Sequence, residues 1–426
     1  MASLGELVGT IAQTTAELSR LLGAQNTPYP TLEEAGHNAF KGEDVTLRQA
    51  RYNVARAAHD LLRLAQGPED HILQLAWASG DTANLGVLLH FQIPQNIPLG
   101  GSIKASDLCS KVGLPLDILL RTMRYAIGSG LFIEKSVGHF SHNAVSAVLA
   151  RNESLRDIAF ASTHEQARML LSLPDTLEQQ QKNGPEGPEA AFNVLWPQYS
   201  NIFQLIAKEP ELAKRYHLYM VGRVNTDRWS AENMVKSWKW NEVGAKTIVD
   251  VGGSAGQTCM ALSGVCPNAK FVIQDVDAVA LKHGEQALLS NIPALSDRVS
   301  FVQHDFFQPQ TVSGDVYIFR HIFHDWNDED TVRILKALVP GLKHRATVLV
   351  SEGIVPEPPA KRANILDDKQ ILIEDMIMQA VHNGRERTVQ EFITLFEQAD
   401  IRYKYVGTSG GVDGAFQSIV EFAFEL

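Results

Sequence analysis

Apolar residues recur at helical spacing from the first turn of the chain. Leu4, Leu7, Val8, Ile11, Leu18, Leu21 and Leu22 share one stripe. The pattern predicts further helices over 44–66 and 69–91, whose apolar faces serve a core or a contact between chains. Between 102 and 150 the rhythm shortens. A helix over Ala105–Val112, the turn Gly113-Leu114-Pro115 and a helix over Leu116–Gly128 precede two short runs, LFIEK and GHFSH, joined by Ser136-Val137-Gly138. Helix, turn, helix and hairpin together describe a winged helix. Residues 182–190 (KNGPEGPEA) read as a polar loop, and helical patterning over about 209–240 leads into a second unit.

From residue 246 the pattern alternates strand and helix. The strand candidates are TIVDVG (247–252), KFVIQDV (270–276), VSFVQHD (299–305), VYIFRHIF (316–323) and TVLVSEGI (347–354). Helical segments separate most of them, which predicts an α/β, doubly wound, mainly parallel sheet. Two last runs, RYKYVG and SIVEFAF, flank the glycine-rich TSGGVDGA and predict an antiparallel hairpin on the sheet edge. Such sheets bind ligands at the carboxyl ends of their strands, so the loops after each strand are where chemistry is expected.

Composition narrows the picture. At 426 residues the chain is long enough for two folding units, and 45% hydrophobic with 20% charged residues is the make-up of a soluble globular protein. A formal net charge of -11 disfavours nucleic acid and anionic membranes as partners. The winged-helix segment carries six Lys and Arg against three Asp and Glu between 101 and 151. That excess is too small for an electrostatic footprint on DNA, so packing or dimerisation is the favoured role. Three cysteines (Cys109, Cys259, Cys266) with no C-x-x-C pair suit a reducing, cytoplasmic setting. The opening MASLGELVGT lacks the basic and apolar regions of a secretory signal, and no stretch is apolar enough for a membrane span.

The first strand runs into Asp250-Val251-Gly252-Gly253-Ser254-Ala255-Gly256. A glycine-rich turn between strand and helix lets backbone approach a ligand closely. The spacing fails the G-x-G-x-x-G dinucleotide fingerprint because Ser254 stands where its second glycine belongs, which disfavours a nicotinamide-dependent oxidoreductase. Asp275 ends the second strand, 23 residues beyond Gly252, where an acid holds ribose hydroxyls; the alternative is a turn or cap. Asp305 ends the third strand and is followed by Phe306 and Phe307. A carboxylate and a ring fit an adenine pocket, with core packing as the alternative for Phe306.

The fourth strand leads to Arg320-His321-Ile322-Phe323-His324-Asp325-Trp326, which puts His324 near the cleft. Glu352 ends the next strand, and Glu386 lies in GRERT, just before a helix that Thr388 and Glu391 open with a capping box. A histidine between two carboxylates is a general base of fixed tautomer. It would deprotonate a phenol, whose ordinary pKa is about 10, to a competent nucleophile. A zinc site of His321, His324 and a carboxylate is disfavoured on this reading, since residues three apart on a strand face opposite ways.

With these residues assembled, the chain resembles the plant caffeate and flavonoid O-methyltransferase family, especially its fungal secondary-metabolism branch. The likeness is clear over about 209–426 and looser over 90–150. It rests on DVGG with Gly256, Asp275, the DFF run at Asp305, HDW at His324 and GRERT at Glu386. The resemblance implies a Rossmann-like catalytic domain over 209–426 with an antiparallel edge hairpin. Ahead of it, 1–208 would be a mainly helical winged-helix domain for dimerisation and for closing over substrate. It implies S-adenosylmethionine as cofactor, no metal, a homodimer, and methyl transfer to a phenolic hydroxyl of a small aromatic molecule. His324, Glu352 and Glu386 match the family's catalytic set. Asp250, Gly252, Gly253, Gly256, Asp275, Val276, Asp305, Phe306 and Arg320 match its cofactor set. Met220, Trp196, Tyr199, Phe203, Phe323, Asp325 and Met376 are the acceptor-side candidates. Ser254 departs from the family's third consecutive glycine. The competing reading is a member that keeps fold and cofactor but catalyses dehydration or a pericyclic reaction; the presence of His324, Glu352 and Glu386 favours methyl transfer.

Overall fold

The computed structural model describes residues 3–38, 40, 44–358, 368–410 and 416–426. The chain forms two compact units that interleave in sequence. The first holds residues up to Leu171 together with Phe203–Thr226; the second holds Ser172–Ile202 and most of the chain from Asp227 onward.

In the first unit, Ser3 and Glu6 cap the helix Leu4–Ala24 reciprocally. Its Leu18, Leu21 and Leu22 pack on Leu47 and Ala50 of Val45–His90. That long helix is broken at Gly67 (φ 77°), immediately before Pro68, as the separate stripes over 44–66 and 69–91 predict. The helices Ala105–Val112 and Leu116–Gly128 stand beside a small antiparallel sheet. Its strands are β1 (Ile103–Lys104), β2 (Ile133–Ser136) and β3 (His139–Ser141), in the order β1-β3-β2. The winged-helix expectation therefore holds, around a core that includes Leu108, Leu119, Met123 and Phe140. The helical patterning over about 209–240 is divided between two helices. Pro210–Val224 ends at Asn225, and the next helix, Glu232–Ser237, belongs to the second unit.

The second unit is a seven-stranded sheet of β4 (Thr247–Val251), β5 (Lys270–Asp275), β6 (Val299–Gln303), β7 (Val316–Arg320), β8 (Thr347–Gly353), β9 (Tyr403–Gly410) and β10 (Gln417–Phe424). The order is β6-β5-β4-β7-β8-β10-β9. The first five run parallel, and β10 pairs antiparallel with β8 and β9. Segment 411–415 of the glycine-rich run between the last two strands lies outside the described residues.

Strands covered on both faces must be apolar at consecutive positions. Ile248, Val249, Val316, Tyr317, Ile318 and Phe319 are all buried. Alternation then divides them between two cores. Ile248, Ile318 and Leu349 meet Trp240, Leu262 and Leu281 on one face. Val249, Tyr317, Phe319 and Val350 meet Ile334, Phe392 and Phe396 on the other. The chain moves outward from β4 through β5 to β6, then restarts on the other side at β7. This reversal leaves a crevice beyond the carboxyl ends of β4 and β7, the place where such sheets bind ligands. Among the described residues no helix is long and apolar enough to cross a membrane.

Candidate active site

Two loops meet at the crevice. After β4 the backbone turns through Gly252 (φ 73°) and Ser254 (φ 50°) into the helix Gln257–Ser263. A Cβ on Gly252 would stand 2.4 Å from Ile322 Cδ1 and 3.8 Å from Phe306, so the conformation and the space both require glycine. Gly253 lies over Asp250, and Gly256 caps the following helix in the left-handed region. Ser254 also occupies left-handed backbone, a conformation that residues other than glycine rarely adopt. Its side chain is exposed, and its N–H donates to Asp275 Oδ2 at 2.9 Å.

Asp275 Oδ1 accepts from the Asp277 N–H at 2.9 Å, so this carboxylate ties the ends of β4 and β5 together. Val276 beside it is exposed. Asp305 accepts from the Phe307 N–H, and Phe306 is half-buried with its ring edge-on to Trp326 at 5.9 Å. Asp250 is buried beneath the loop, 3.6 Å from Cys259 Sγ. Burial pushes its carboxyl up to about 6, against the pull of the Arg320 guanidinium. Arg320 donates to the Trp229 carbonyl.

The second loop follows β7. The strand ends at Arg320, three residues earlier than the apolar run predicts, because His321 takes a left-handed conformation (φ 53°). A 3-10 turn, Phe323–Asp325, then presents His324. Glu352 in β8 holds this turn: its Oε1 accepts from the N–H groups of Ile322 and Phe323, both at 2.9 Å. Its Oε2 stands 3.5 Å from His324 Nδ1. Glu386 makes the closer contact, Oε1 to Nδ1 at 2.8 Å. A carboxylate accepts, so Nδ1 carries the proton and Nε2 is the atom left to act as base.

All three groups are buried, with His324 7%, Glu386 2% and Glu352 0% exposed. Burial opposes an imidazolium, but Glu352, Glu386 and Asp325 outweigh it and raise the His324 pKa to about 10. Burial likewise raises Glu352 to about 7, opposed by His324 and by the two backbone N–H groups.

Three supporting residues, Arg387, Asp375 and His382, have no role in the sequence reading, and a fourth, His321, enters there only as a metal ligand. Arg387, fully buried, donates to the carbonyls of Phe323 and Trp326 and to Asp328, clamping the turn that carries His324. Asp375 accepts from the Glu386 N–H at 2.9 Å. His382 Nε2 lies 3.4 Å from Asp325 Oδ1, which is itself 3.6 Å from His324 Nε2. His321 stacks beside His324, ring centroids 5.4 Å apart. This corrects the expectation that the two imidazoles face opposite ways, since the chain at 321–324 is a turn and not a strand. The signal for Arg387 was its place beside Glu386, where a charged residue reads as surface.

The acceptor-side candidates are scattered. Phe323 is a correction: it is fully buried among Phe319, Phe392 and Phe396 and presents no surface to a ligand. Asp325 is half-buried at the turn, and Met376 is exposed on the helix Asp368–His382. Trp196 stacks on Phe192, and Tyr199 is buried just beyond it. Both follow the short helix Ala191–Leu195, which packs against Asp368–His382. Phe203 and Met220 are exposed residues of the first unit.

The family model described as "O-methyltransferase domain" matches residues 180–402. The chain is 30% identical to O-methyltransferase aoiF of Aspergillus oryzae, over 98% of this chain and 99% of that protein. The chain belongs to the O-methyltransferase family. Among solved structures it resembles OxaC with a TM-score of 0.77 at 20% identity, covering 99% of both chains. It also resembles a protein titled "A Pericyclic Reaction enzyme", with a TM-score of 0.71 at 16% identity, covering 98% of this chain and all of that one. These structural likenesses establish the fold, and the sequence relatives establish a methyltransferase of the fungal secondary-metabolism branch.

Proposed function

We propose that this methyltransferase moves a methyl group from S-adenosylmethionine to a phenolic hydroxyl of a small aromatic secondary metabolite, with His324 as general base and no metal ion. The observation that carries the reading is the 2.8 Å contact between Glu386 and His324 Nδ1 at the end of β7. It fixes the tautomer and leaves Nε2 to take the phenol proton. Glu386 stabilises the imidazolium that results, while Glu352 and Arg387 keep the turn in place. As its proton leaves, the phenol oxygen becomes the nucleophile, and the proton rests on Nε2 until solvent removes it.

The residues at the crevice suit the cofactor. Gly252 keeps open a cradle that a Cβ would fill, and Asp275 and Asp305 offer carboxylates on two successive strand ends. Asp250, Gly253, Gly256, Val276, Phe306 and Arg320 complete the set that would hold it. When bound, S-adenosylmethionine supplies an electrophilic methyl on a sulfonium that departs as a neutral thioether.

On the acceptor side we assign Asp325, Met376, Trp196 and Tyr199, and by resemblance Met220 and Phe203. The reading includes a cytoplasmic homodimer assembled through an N-terminal domain over 1–208, with the catalytic domain over 209–426.

Mass spectrometry of purified chain with S-adenosylmethionine and a panel of phenolic polyketides tests the reaction class. The expected result is gain of one methyl with release of S-adenosylhomocysteine. An acceptor that loses water or rearranges while the cofactor stays unchanged would overturn methyl transfer in favour of the pericyclic or dehydrating reading.

A further inference from the structure

The turn at 321–325 gathers more than a base. One ligand-capable atom each from His321, His324 and Glu352 lie within 4.8 Å of one another. We propose that these three residues form a site for a divalent transition-metal ion, zinc above all, and that occupation of the site blocks the base.

Three observations support it. Two imidazoles and a carboxylate are the ligand set of open zinc sites, which leave a further position to solvent or another ligand. Imidazole also selects zinc over magnesium or calcium, which prefer oxygen ligands. Second, Glu352 Oε2 has no hydrogen-bond partner although its carboxylate is wholly buried, and it points to within 3.5 Å of His324 Nδ1. The His324 ring faces that oxygen without hydrogen-bonding to it, and a metal ion held between the two would satisfy it at bonding distance. Third, Glu386 adds a second buried carboxylate 2.8 Å from His324 Nδ1, so a zinc ion that takes Nδ1 releases its proton to solvent, keeps both carboxylates countered and leaves Nε2 protonated and unable to act as base.

The fit needs only small adjustment. Ligands about 2.0–2.2 Å from zinc stand roughly 3.3 Å apart in a tetrahedron, so the three atoms draw in by about an ångström. The left-handed turn at His321 is what makes this possible, since an extended strand would send its ring to the far face. The cation site stands on this geometry alone; its consequence for catalysis rests on the reading of His324 as the base.

The test uses full-length chain freed of metal with a chelator and desalted. Zinc is titrated against a chromophoric chelator, and cobalt(II) is added in parallel to read its visible absorption. One site per chain is expected to outcompete the chelator, with a cobalt spectrum of four or five nitrogen and oxygen ligands. His321→Ala and Glu352→Gln should each weaken zinc by at least about tenfold and abolish the cobalt bands. His283→Ala, at an exposed histidine, should change neither, and far-UV circular dichroism reports whether each variant folds. Unchanged zinc affinity in folded His321→Ala, or no competition with the chelator by the parent chain, would overturn the site. Methyl transfer is then followed as zinc is added. Loss of activity in step with occupancy, restored by chelator, supports blockage of the base; full activity at full occupancy overturns it. Absence of methyl transfer even in chelator would count against the proposed reaction and leave the metal titration to decide the site.

Discussion

His324 must be neutral to accept a proton, yet its neighbours favour the charged form. Burial alone would hold it neutral, but Glu352, Glu386 and Asp325 overcome burial and raise its pKa to about 10. The sign for catalysis follows directly. The active species grows as pH rises, so the acid limb of the rate profile should lie above the ordinary imidazole value of about 6.5. In Glu386→Gln one raising carboxylate is gone and the acid limb should move to lower pH, while the plateau falls because Nδ1–H loses its charged acceptor. Initial rates between pH 5 and 10 check both; a limb that stays in place in the variant would contradict the electrostatic account. The three catalytic candidates were legible in the sequence because each follows or ends an element whose pattern is plain. His321 and Phe323 were not. The run VYIFRHIF stays apolar past the true strand end at Arg320, and nothing in it announces a left-handed residue at His321. Two residues were therefore set on the wrong faces.

The segment 384–388 is the element that ties His324 to its surroundings. The Arg385 N–H donates to the His324 carbonyl at 3.0 Å, and a Cβ on Gly384 would stand 2.0 Å from that oxygen. Gly384→Ala should therefore displace the base turn and cost about 1–3 kcal/mol, seen as a lower midpoint in chemical denaturation. Arg387→Met leaves the Phe323 and Trp326 carbonyls without their donor, and about 3 kcal/mol of destabilisation is expected. Arg387→Lys should retain more of the fold but lose rate, since a single ammonium does not reproduce the fork. Equal activity of the lysine variant would reduce Arg387 to a packing role. The parallel strands were legible because burial on both faces makes continuous apolar runs. The break after Val224 was not, because Asn225, Thr226 and Asp227 interrupt a stripe whose periodicity resumes on the far side.

For the whole molecule, fold and family agree: a sheet whose order reverses between β4 and β7, a glycine loop at that reversal, and relatives that are O-methyltransferases along their full length. The proposed homodimer is consistent with apolar surface on the helix Val45–His90, where Ile72 is 65%, Leu75 58% and Trp77 64% exposed. Light scattering at micromolar concentration should give twice the chain mass, and Trp77→Asp should shift it toward one; a monomeric parent chain would end that part of the account. The central claim is that His324 removes the acceptor proton. Single-turnover methyl transfer to a phenolic acceptor, followed across pH in the parent chain and in His324→Ala, tests it most directly. The variant should be slower by about 10²–10⁴ at neutral pH, and its rate should climb with the acceptor's own ionisation, closing the gap in alkali. A variant that matches the parent, or that lags by the same factor at every pH, would contradict a general-base role for His324.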